Sequence, residues 1–283
     1  MSVKCYAISP KNKGYSNDKW DFGFLQEAFT KNNVDVLQVN KLPKSERAFV
    51  VAPGFEWHSR EEILSNELNN IGRVVLFITA DEAGVFQMNK IVHSNIEIWI
   101  QYPYPDHESY NKLPLGFPNH KENIIPKYPT KELNVYFSGQ ITHQRRQEIA
   151  NALPSVPNSL YNLTKGFAQG ETPSDYYRFL ASAKFAPAPA GSVTIDSFRF
   201  YEGLEMLCLP IPDRVSSSGE DYGFWEILFQ DMPITQIDNW ARLRKMVQQL
   251  LNDYPANMHR AVSWWIKQKR DFAYKIMEQI NEH

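Results

Sequence analysis

Short apolar runs alternate with amphipathic stretches through the first hundred residues of this 283-residue chain. Each run has the length of a strand, whereas the stretches between the runs carry apolar residues at helical spacing. Strands are predicted at Val3–Ile8, Val34–Val39, Ala48–Ala52, Arg73–Thr79 and Ile96–Gln101, and helices at Trp20–Asn32, Arg60–Ile71 and Val85–His93. Strands that alternate with helices in this way form a parallel sheet with the helices on its faces.

A second block of the same kind follows residues 102–132, whose many Pro, Tyr, Asn, Lys and Gly residues are typical of a connection between domains. Its predicted strands are Asn134–Ser138, Lys184–Pro187 and Cys208–Ile211, and its predicted helices are His143–Leu153, Ser174–Ala183, Ser197–Leu207, Asn239–Asp253 and Ala256–Ile280. We therefore predict an α/β protein of two Rossmann-like domains facing a cleft, at residues 1–120 and 130–264. The C-terminal helix, residues 265–283, either completes the first domain or packs on the second domain, to which it is joined in sequence.

The charge and hydropathy of the chain restrict its partners and its compartment. Its formal net charge is -2 at pH 7, so no overall basic field attracts a polyanion, and nucleic acid would need a local binding patch. No signal-peptide pattern opens the chain, and no apolar run has the roughly 20 residues of a membrane helix. We expect a cytoplasmic protein without a membrane span.

Several common sites are missing from the sequence. The seven histidines are scattered without a Cys/His cluster, and the phosphate-binding glycine patterns of kinases and dehydrogenases do not occur. We therefore expect no protein-held metal. Cys5 and Cys208 each lie in a strand-like apolar run, which predicts buried free thiols.

Chemistry concentrates between Phe185 and Ile211, where a strand ends in a Pro/Gly turn and a helix begins near Asp196 or Ser197. Arg199 and Glu202 are three residues apart on the first helical turn, so they share a face. Arg199 could bind a diphosphate and Glu202 could accept hydrogen bonds from ribose hydroxyls. The alternative is an ion pair between the two side chains on the surface.

This segment resembles the exostosin family of glycosyltransferases. The family pattern Phe-x-Leu-x-Pro-x-Gly, Ser-x-Arg-x2-Glu-Ala, Gly-Cys-Ile-Pro-Val is met, in order and spacing, by Phe185, Pro189, Gly191, Ser197, Arg199, Glu202, Cys208 and Pro210. The chain departs from the pattern at Pro187, Gly203, Leu207, Leu209 and Ile211. A second block, Tyr136-Phe-Ser-Gly139 followed by Arg145 and Arg146, is similar to the strand, glycine turn and arginine that open the donor domain in such enzymes.

The resemblance implies a GT-B fold and transfer of a sugar from a nucleotide donor, with UDP the expected nucleotide, to a glycan or other cytoplasmic acceptor. It implies that the second domain holds the nucleotide and the first holds the acceptor. The nucleotide sugar is then a co-substrate, and no cofactor is expected. Asp-x-Asp, the metal-holding pair of the other major transferase fold, is absent. The implied donor-binding residues are Ser138, Gly139, Arg145, Arg146, Gly191, Ser197, Arg199 and Glu202.

A general base is expected on the acceptor side of the cleft. Asp81, with Glu82 beside it, follows directly on the apolar strand Arg73–Thr79 and is the first candidate, although it could instead cap the next helix. His58 follows another strand and is the second candidate. Thr194 stands where many retaining enzymes of this fold have the first Glu of Glu-x7-Glu, which favours an inverting mechanism.

Two other functions remain open from the sequence. The first is a phage-type DNA glycosyltransferase acting on a modified base, since aromatic and basic residues are interleaved at Trp57, His58 and Arg60 and again from Trp264 to Arg270. The second is a noncatalytic module that binds a sugar nucleotide or a glycan.

Overall fold

Two separate parallel sheets organise the protein, whose computed structural model describes residues 3–10, 22–118, 130–166 and 169–282. One unit comprises Met1–His120 and Gln268–His283, and the other comprises Lys121–Lys267. Each unit holds one sheet with helices between its strands. The predicted fold class, two Rossmann-like α/β domains, is confirmed.

The first unit contains a six-stranded sheet with strand order β2-β1-β3-β4-β5-β6, in which every neighbouring pair is parallel. Its central strands are the most apolar and the most deeply buried, as expected for a sheet covered on both faces. The strands are β1 (Lys4–Ile8), β2 (Asp35–Val39), β3 (Ser45–Pro53), β4 (Ile71–Thr79), β5 (Ile96–Ile100) and β6 (Asn111–Lys112). The helices are α1 (Gly23–Lys31), α2 (Gly54–Trp57) and α3 (Glu61–Leu68).

The second unit contains a four-stranded sheet with strand order β10-β9-β7-β8, again parallel throughout. Its strands are β7 (Leu133–Gln140), β8 (Ser159–Thr164), β9 (Ala183–Ala188) and β10 (Leu209–Pro212). Its helices are α4 (Gln144–Ala152), α5 (Pro173–Ser182), α6 (Phe198–Glu205), α7 (Phe224–Leu228) and α8 (Leu243–Leu251), followed by the long helix α9 (Tyr254–Asn281).

The C-terminal part of α9 packs on the first unit through an aromatic cluster. The Phe272 ring lies 4.8 Å from the Phe24 ring and 5.0 Å from the Trp99 ring, measured between centroids. Trp99 Nε1 donates to Gln279 Oε1 over 2.8 Å, and Arg73 Nε donates to the Gln279 carbonyl over 3.0 Å. Residues after 267 therefore supply part of the hydrophobic core of the first unit.

The predicted helix at Val85–His93 is wrong. Only a single 3-10 turn, Met88–Lys90, forms there, and the chain on either side of it is irregular. Side chains of residues outside this segment form hydrogen bonds with its backbone N–H and carbonyl groups. Ser65 Oγ, for example, accepts from Val92 N over 2.9 Å and donates to Val92 O over 3.1 Å. A helical apolar pattern was therefore overridden by tertiary hydrogen bonds.

Four short elements, α2, β6, β8 and α7, were missed, and several boundaries shifted. Strand β8 lies at the edge of its sheet and is largely exposed, so it lacks the apolar run that marked the other strands. Helix α7 has five residues, too few for a periodic pattern. The helix predicted at Asn239–Asp253 opens as a 3-10 turn, Trp240–Arg242, before α8. Parts of the predicted helix Trp20–Asn32 and of the predicted linker 102–132 lie outside the described residues.

Both cysteines are free and buried, as predicted. Over the described ranges, no helix is at once long enough and apolar enough to cross a bilayer.

Candidate functional site

The start of helix α6 carries the most constrained group of predicted residues. Ser197, in extended backbone conformation, is the N-cap residue, and its side chain makes no capping hydrogen bond to the helix. The buried Asp196 carboxylate accepts from Ser197 N over 2.9 Å and from the Tyr201 hydroxyl over 3.0 Å. These bonds fix the approach to the first turn, from which Arg199 and Glu202 project.

Arg199 reaches from α6 to the end of strand β7. Its Nε donates to the Ser138 carbonyl over 2.8 Å, and its guanidinium carbon lies 5.3 Å from the centre of the Phe137 ring. A Cβ atom added to Gly139 would lie 2.9 Å from that guanidinium carbon, which is closer than packing allows. Gly139 is therefore required for Arg199 to lie across the strand end.

Glu202 is buried, with 6% of its surface exposed, and two tyrosines of helix α5 hold it. The Tyr176 hydroxyl donates to Oε2 over 2.7 Å and the Tyr177 hydroxyl donates to Oε1 over 3.1 Å. Burial raises the pKa of this carboxyl, although the two tyrosine hydrogen bonds and the charge of Arg199 oppose the change. In the part of the chain that is described, Arg199 and Glu202 form no direct ion pair and Glu202 is buried, so the alternative of a simple surface pair is not observed.

The sequence did not single out Tyr176 and Tyr177. They are adjacent on a short helix that begins at Pro173, and the sequence pattern there predicts only that they pack in the core. Only the tertiary contact with Glu202 assigns them to the site.

Ser138 links the end of strand β7 to a neighbouring loop. Its hydroxyl donates to Glu171 Oε2 over 2.7 Å. Glu171 ends the segment Lys165–Glu171, in which residues 167 and 168 lie outside the described residues. A described residue of that segment therefore contacts a predicted donor-binding residue.

Arg145 is an internal ion-pair partner. Its Nε and Nη2 donate to the two oxygens of Asp213, and its Nη1 donates to Glu148 over 2.7 Å. Asp213 is fully buried and also accepts from Trp240 Nε1 over 3.0 Å, while burial raises its pKa against the charge of Arg145. The guanidinium is thus used to join α4 to the end of β10. In this arrangement Arg145 supports the fold, and each of its three guanidinium nitrogens already donates to a carboxylate and not to a diphosphate.

Arg146 shapes the loop that contains Gly191. Its Nε and Nη2 both donate to the Ala190 carbonyl over 3.3 Å, and its Nη1 donates to the Gln140 carbonyl over 3.3 Å. The end of β7 is thereby tied to the backbone that follows β9. Gly191 itself is half-buried in this loop, next to the carbonyl that Arg146 binds.

In the first unit, Asp81 is placed by a left-handed residue at the end of strand β4. Ala80 has a φ of 53°, and the chain turns there. Asp81 is only 6% exposed, and its oxygens accept from Val85 N and Phe86 N, each over 3.0 Å. This is the capping geometry of the alternative that the sequence left open, although no α-helix follows. Glu82 is half-buried, and its carbonyl accepts from the Tyr104 hydroxyl over 2.9 Å.

His58 lies just after helix α2 with 44% of its side chain exposed. Its Nδ1 lies 2.9 Å from the Val85 carbonyl and 3.8 Å from Glu61 Oε1. A carbonyl oxygen can only accept, so Nδ1 carries the hydrogen and the neutral ring has its lone pair on Nε2. The ring is thus fixed in the form that can take a proton at Nε2.

A cavity of about 440 Å³ lies beside the turn that contains Asp81 and Glu82. Burial lowers the pKa of His107 in its wall, with the nearby Lys112 acting in the same direction and Asp106 opposing it. The lining residues are Ala83, Gly84, Tyr104, Pro105, Asp106 and His107.

The aromatic residues that suggested a DNA acceptor are buried. Trp57 is 3% exposed and its Nε1 donates to the Ile8 carbonyl over 3.2 Å. Trp264 and Trp265 are also buried, with Nε1 of Trp265 donating to Glu205 Oε1 over 2.7 Å. None of these three rings is available to stack on a base, so the local support for DNA binding is lost. Among the described residues, no group of three or more His, Cys, Asp or Glu side chains could hold a metal ion.

Comparison with known proteins gives no family. No protein-family model matches the chain, and no curated protein matches it in sequence. Among solved structures, the chain is similar to a crystal structure of an α1,3-fucosyltransferase, with a TM-score of 0.49 and 13% sequence identity over 98% of this chain and 91% of that one.

Proposed function

We propose that the protein is a metal-independent, exostosin-like glycosyltransferase that moves a sugar from a nucleotide donor, most naturally a UDP-sugar, to a glycan or other small acceptor. The observation that carries the proposal is the position of Arg199. Its guanidinium is held across Gly139 at the end of a parallel strand, and Glu202 projects from the same helical turn. A cation and a carboxylate placed together at strand ends suit a diphosphate joined to a ribose.

The diphosphate would bind to the free side of Arg199. Its Nε is used by the Ser138 carbonyl, but Nη1 and Nη2 make no hydrogen bond within the described residues. Both terminal nitrogens can therefore donate to phosphate oxygens in a bidentate pair. The backbone N–H groups at Gly191 and at the first turn after Ser197 would add to the binding of negative charge.

The ribose would bind at Glu202. Each carboxylate oxygen accepts one tyrosine hydroxyl and keeps further acceptor capacity, so the 2′ and 3′ hydroxyls can both donate to it. Tyr176 and Tyr177 keep the carboxylate in one orientation, which reduces the entropy lost when the donor binds. Ser138 is available to the donor when its hydroxyl leaves Glu171.

The acceptor hydroxyl would be activated by a residue of the first unit. Asp81, Glu82 and His58 remain the candidates, and the geometry favours His58. Both Asp81 oxygens are bound by backbone N–H groups in a buried position, whereas His58 is exposed and presents an unprotonated Nε2. In an inverting transfer, Nε2 takes the proton as the acceptor oxygen bonds to the anomeric carbon. The bond from that carbon to the diphosphate breaks, and the nucleoside diphosphate leaves.

A direct test incubates the protein with a panel of nucleotide sugars and measures release of the nucleoside diphosphate, with and without simple glycan acceptors. We expect release from one nucleotide class and its loss in Arg199→Ala and Glu202→Ala. Arg178→Ala is the matched control, because Arg178 is exposed and forms an ion pair with Asp175 outside the predicted site. Binding of a donor without any turnover would favour the noncatalytic module. No binding and no turnover with any donor would exclude the proposal.

A further inference from the structure

Glu61 is a buried carboxylate that neither the sequence patterns nor the proposed donor site uses. It is 1% exposed at the start of helix α3, and its Oε1 accepts from Gln87 N over 3.2 Å. Its Oε2 has no hydrogen-bond partner among the described residues, and Lys90 Nζ lies 3.9 Å away from it. Burial alone would raise the pKa of Glu61, but backbone N–H groups and the charge of Lys90 hold that pKa below its ordinary value. The group is therefore charged at neutral pH.

Glu61 completes a set of acidic side chains that hold one short backbone segment. Asp81 binds the N–H groups of Val85 and Phe86, and Glu61 binds the next N–H, that of Gln87. Three successive N–H groups are thus bound by two buried carboxylates. The carbonyl of Val85 belongs to this segment and accepts a hydrogen bond from His58 Nδ1. Charge-assisted bonds of this kind are stronger than neutral ones, so the carbonyl is held firmly in place.

We propose that Glu61 is a positioning residue for His58, fixing the imidazole with its hydrogen on Nδ1 and its lone pair on Nε2. The inference rests on the proposed function, in which His58 accepts the proton of the acceptor hydroxyl. When Nε2 takes that proton, the ring becomes a cation with N–H groups at both nitrogens. The negative Glu61 Oε1, 3.8 Å from Nδ1, stabilises this cation. The proton later leaves Nε2 for water, and the ring returns to its first tautomer.

Nitrogen NMR of the free protein tests the first step without donor or acceptor. Protonated and unprotonated ring nitrogens have distinct shifts, and His58→Gln identifies the His58 signals by their disappearance. We expect the protein to show a protonated Nδ1 and an unprotonated Nε2 at mildly alkaline pH. The opposite tautomer, or an equal mixture, overturns the proposal. Because no substrate is present, this result is independent of whether the protein transfers a sugar.

Variants of α3 test the part played by Glu61. In Glu61→Ala the Gln87 N–H loses its acceptor, so we expect the His58 ring to lose its tautomer preference. The control is Glu62→Ala, the same change at the exposed neighbouring residue, which should leave the spectrum as it is. If Glu61→Ala does not fold, Glu61→Asp retracts the carboxylate by one methylene and should give the same change in part. A folded Glu61 variant with an unaltered His58 spectrum overturns the proposal.

Measurements of turnover distinguish the positioning role of Glu61 from the proposed sugar transfer. Glu61→Ala should lower the maximal rate while the affinity for the nucleotide sugar stays unchanged, since Glu61 lies outside the donor-binding unit. A protein that shows the expected tautomers but no transfer with any donor contradicts the proposed function and leaves the positioning of His58 intact.

Discussion

The Arg199 guanidinium occupies the space that a side chain at Gly139 would need. The two residues come from different elements of the second unit, with Gly139 in strand β7 and Arg199 on the first turn of α6. A glycine in a strand interior is normally a weakness, because it has no side chain to pack. Here its absence of a Cβ gives Arg199 a fixed position at the strand end.

This relationship predicts that Gly139 and Arg199 act as one unit in donor binding. Gly139→Ala should displace the guanidinium and weaken binding of the nucleotide sugar by about 1–3 kcal/mol, the size of a charged hydrogen bond. Arg199→Ala should have a similar effect. The double variant should be no weaker than either single one, which a cycle of calorimetric titrations measures. Additive losses would show that the two residues act separately.

Donor binding should depend on the ionisation of Glu202. Burial raises the pKa of this carboxyl in the free protein, so it takes up a proton at a higher pH than an ordinary glutamate. Ribose hydroxyls donate to the ionised form. Affinity for a UDP-sugar should therefore be fully present above the raised pKa of Glu202 and fall as the pH drops through it.

A UDP-sugar is the right ligand for that titration, because its diphosphate is substituted at both ends and does not change charge at mildly acid pH. Glu202→Gln should bind more weakly at neutral pH and lose the pH dependence. If the wild-type affinity does not change at any pH at which the protein stays folded, Glu202 does not bind the donor in its ionised form.

Arg145 should matter for stability rather than for donor binding. Its ion pair with Asp213 is buried, and removing one partner leaves the other charge uncompensated. Arg145→Ala should lower the free energy of unfolding by about 3–5 kcal/mol, measured by denaturant titration. Arg178→Ala breaks an exposed pair and should change stability very little. An Arg145→Ala protein that is as stable as wild type but no longer binds the donor would show that Arg145 is a donor-binding residue.

The sequence predicted the two α/β units and the closeness of Ser138, Gly139 and Arg199, because strand ends and helix starts in parallel sheets converge in a regular way. It could not distinguish the structural role of Arg145 from the proposed donor-binding role of Arg199. Both arginines follow a strand near a helix start, and what distinguishes them is the fully buried Asp213, which lies far from Arg145 along the chain. Glu61 and Tyr176 were missed for the same reason, since their roles depend on tertiary partners.

Substitutions of His58 and of Asp81 should have different effects on the rate of sugar transfer. A general base contributes typically 10²–10⁴-fold to rate and little to donor affinity. His58→Gln should lose about that factor and still bind the nucleotide sugar normally. Asp81→Asn keeps one acceptor for the backbone N–H groups and should retain most of its turnover. The reverse pattern, with Asp81→Asn inactive and His58→Gln active, would make Asp81 the base.

Transfer should also continue in the presence of a chelator. The proposed site offsets the diphosphate charge with Arg199 and with the N-terminal end of α6 rather than with a cation. Turnover measured before and after extensive treatment with EDTA should be equal. Loss of turnover that Mn²⁺ or Mg²⁺ restores would contradict this.

The central claim, a nucleotide site built on Arg199 in the second unit, is tested most directly by thermal unfolding with a panel of nucleoside diphosphates. A ligand at 100 times its dissociation constant stabilises the folded protein by about 2.7 kcal/mol. The account predicts that one nucleoside diphosphate, UDP first among them, raises the melting temperature of the wild-type protein and has little effect on Arg199→Ala. A panel that stabilises neither protein, or stabilises both equally, would contradict it.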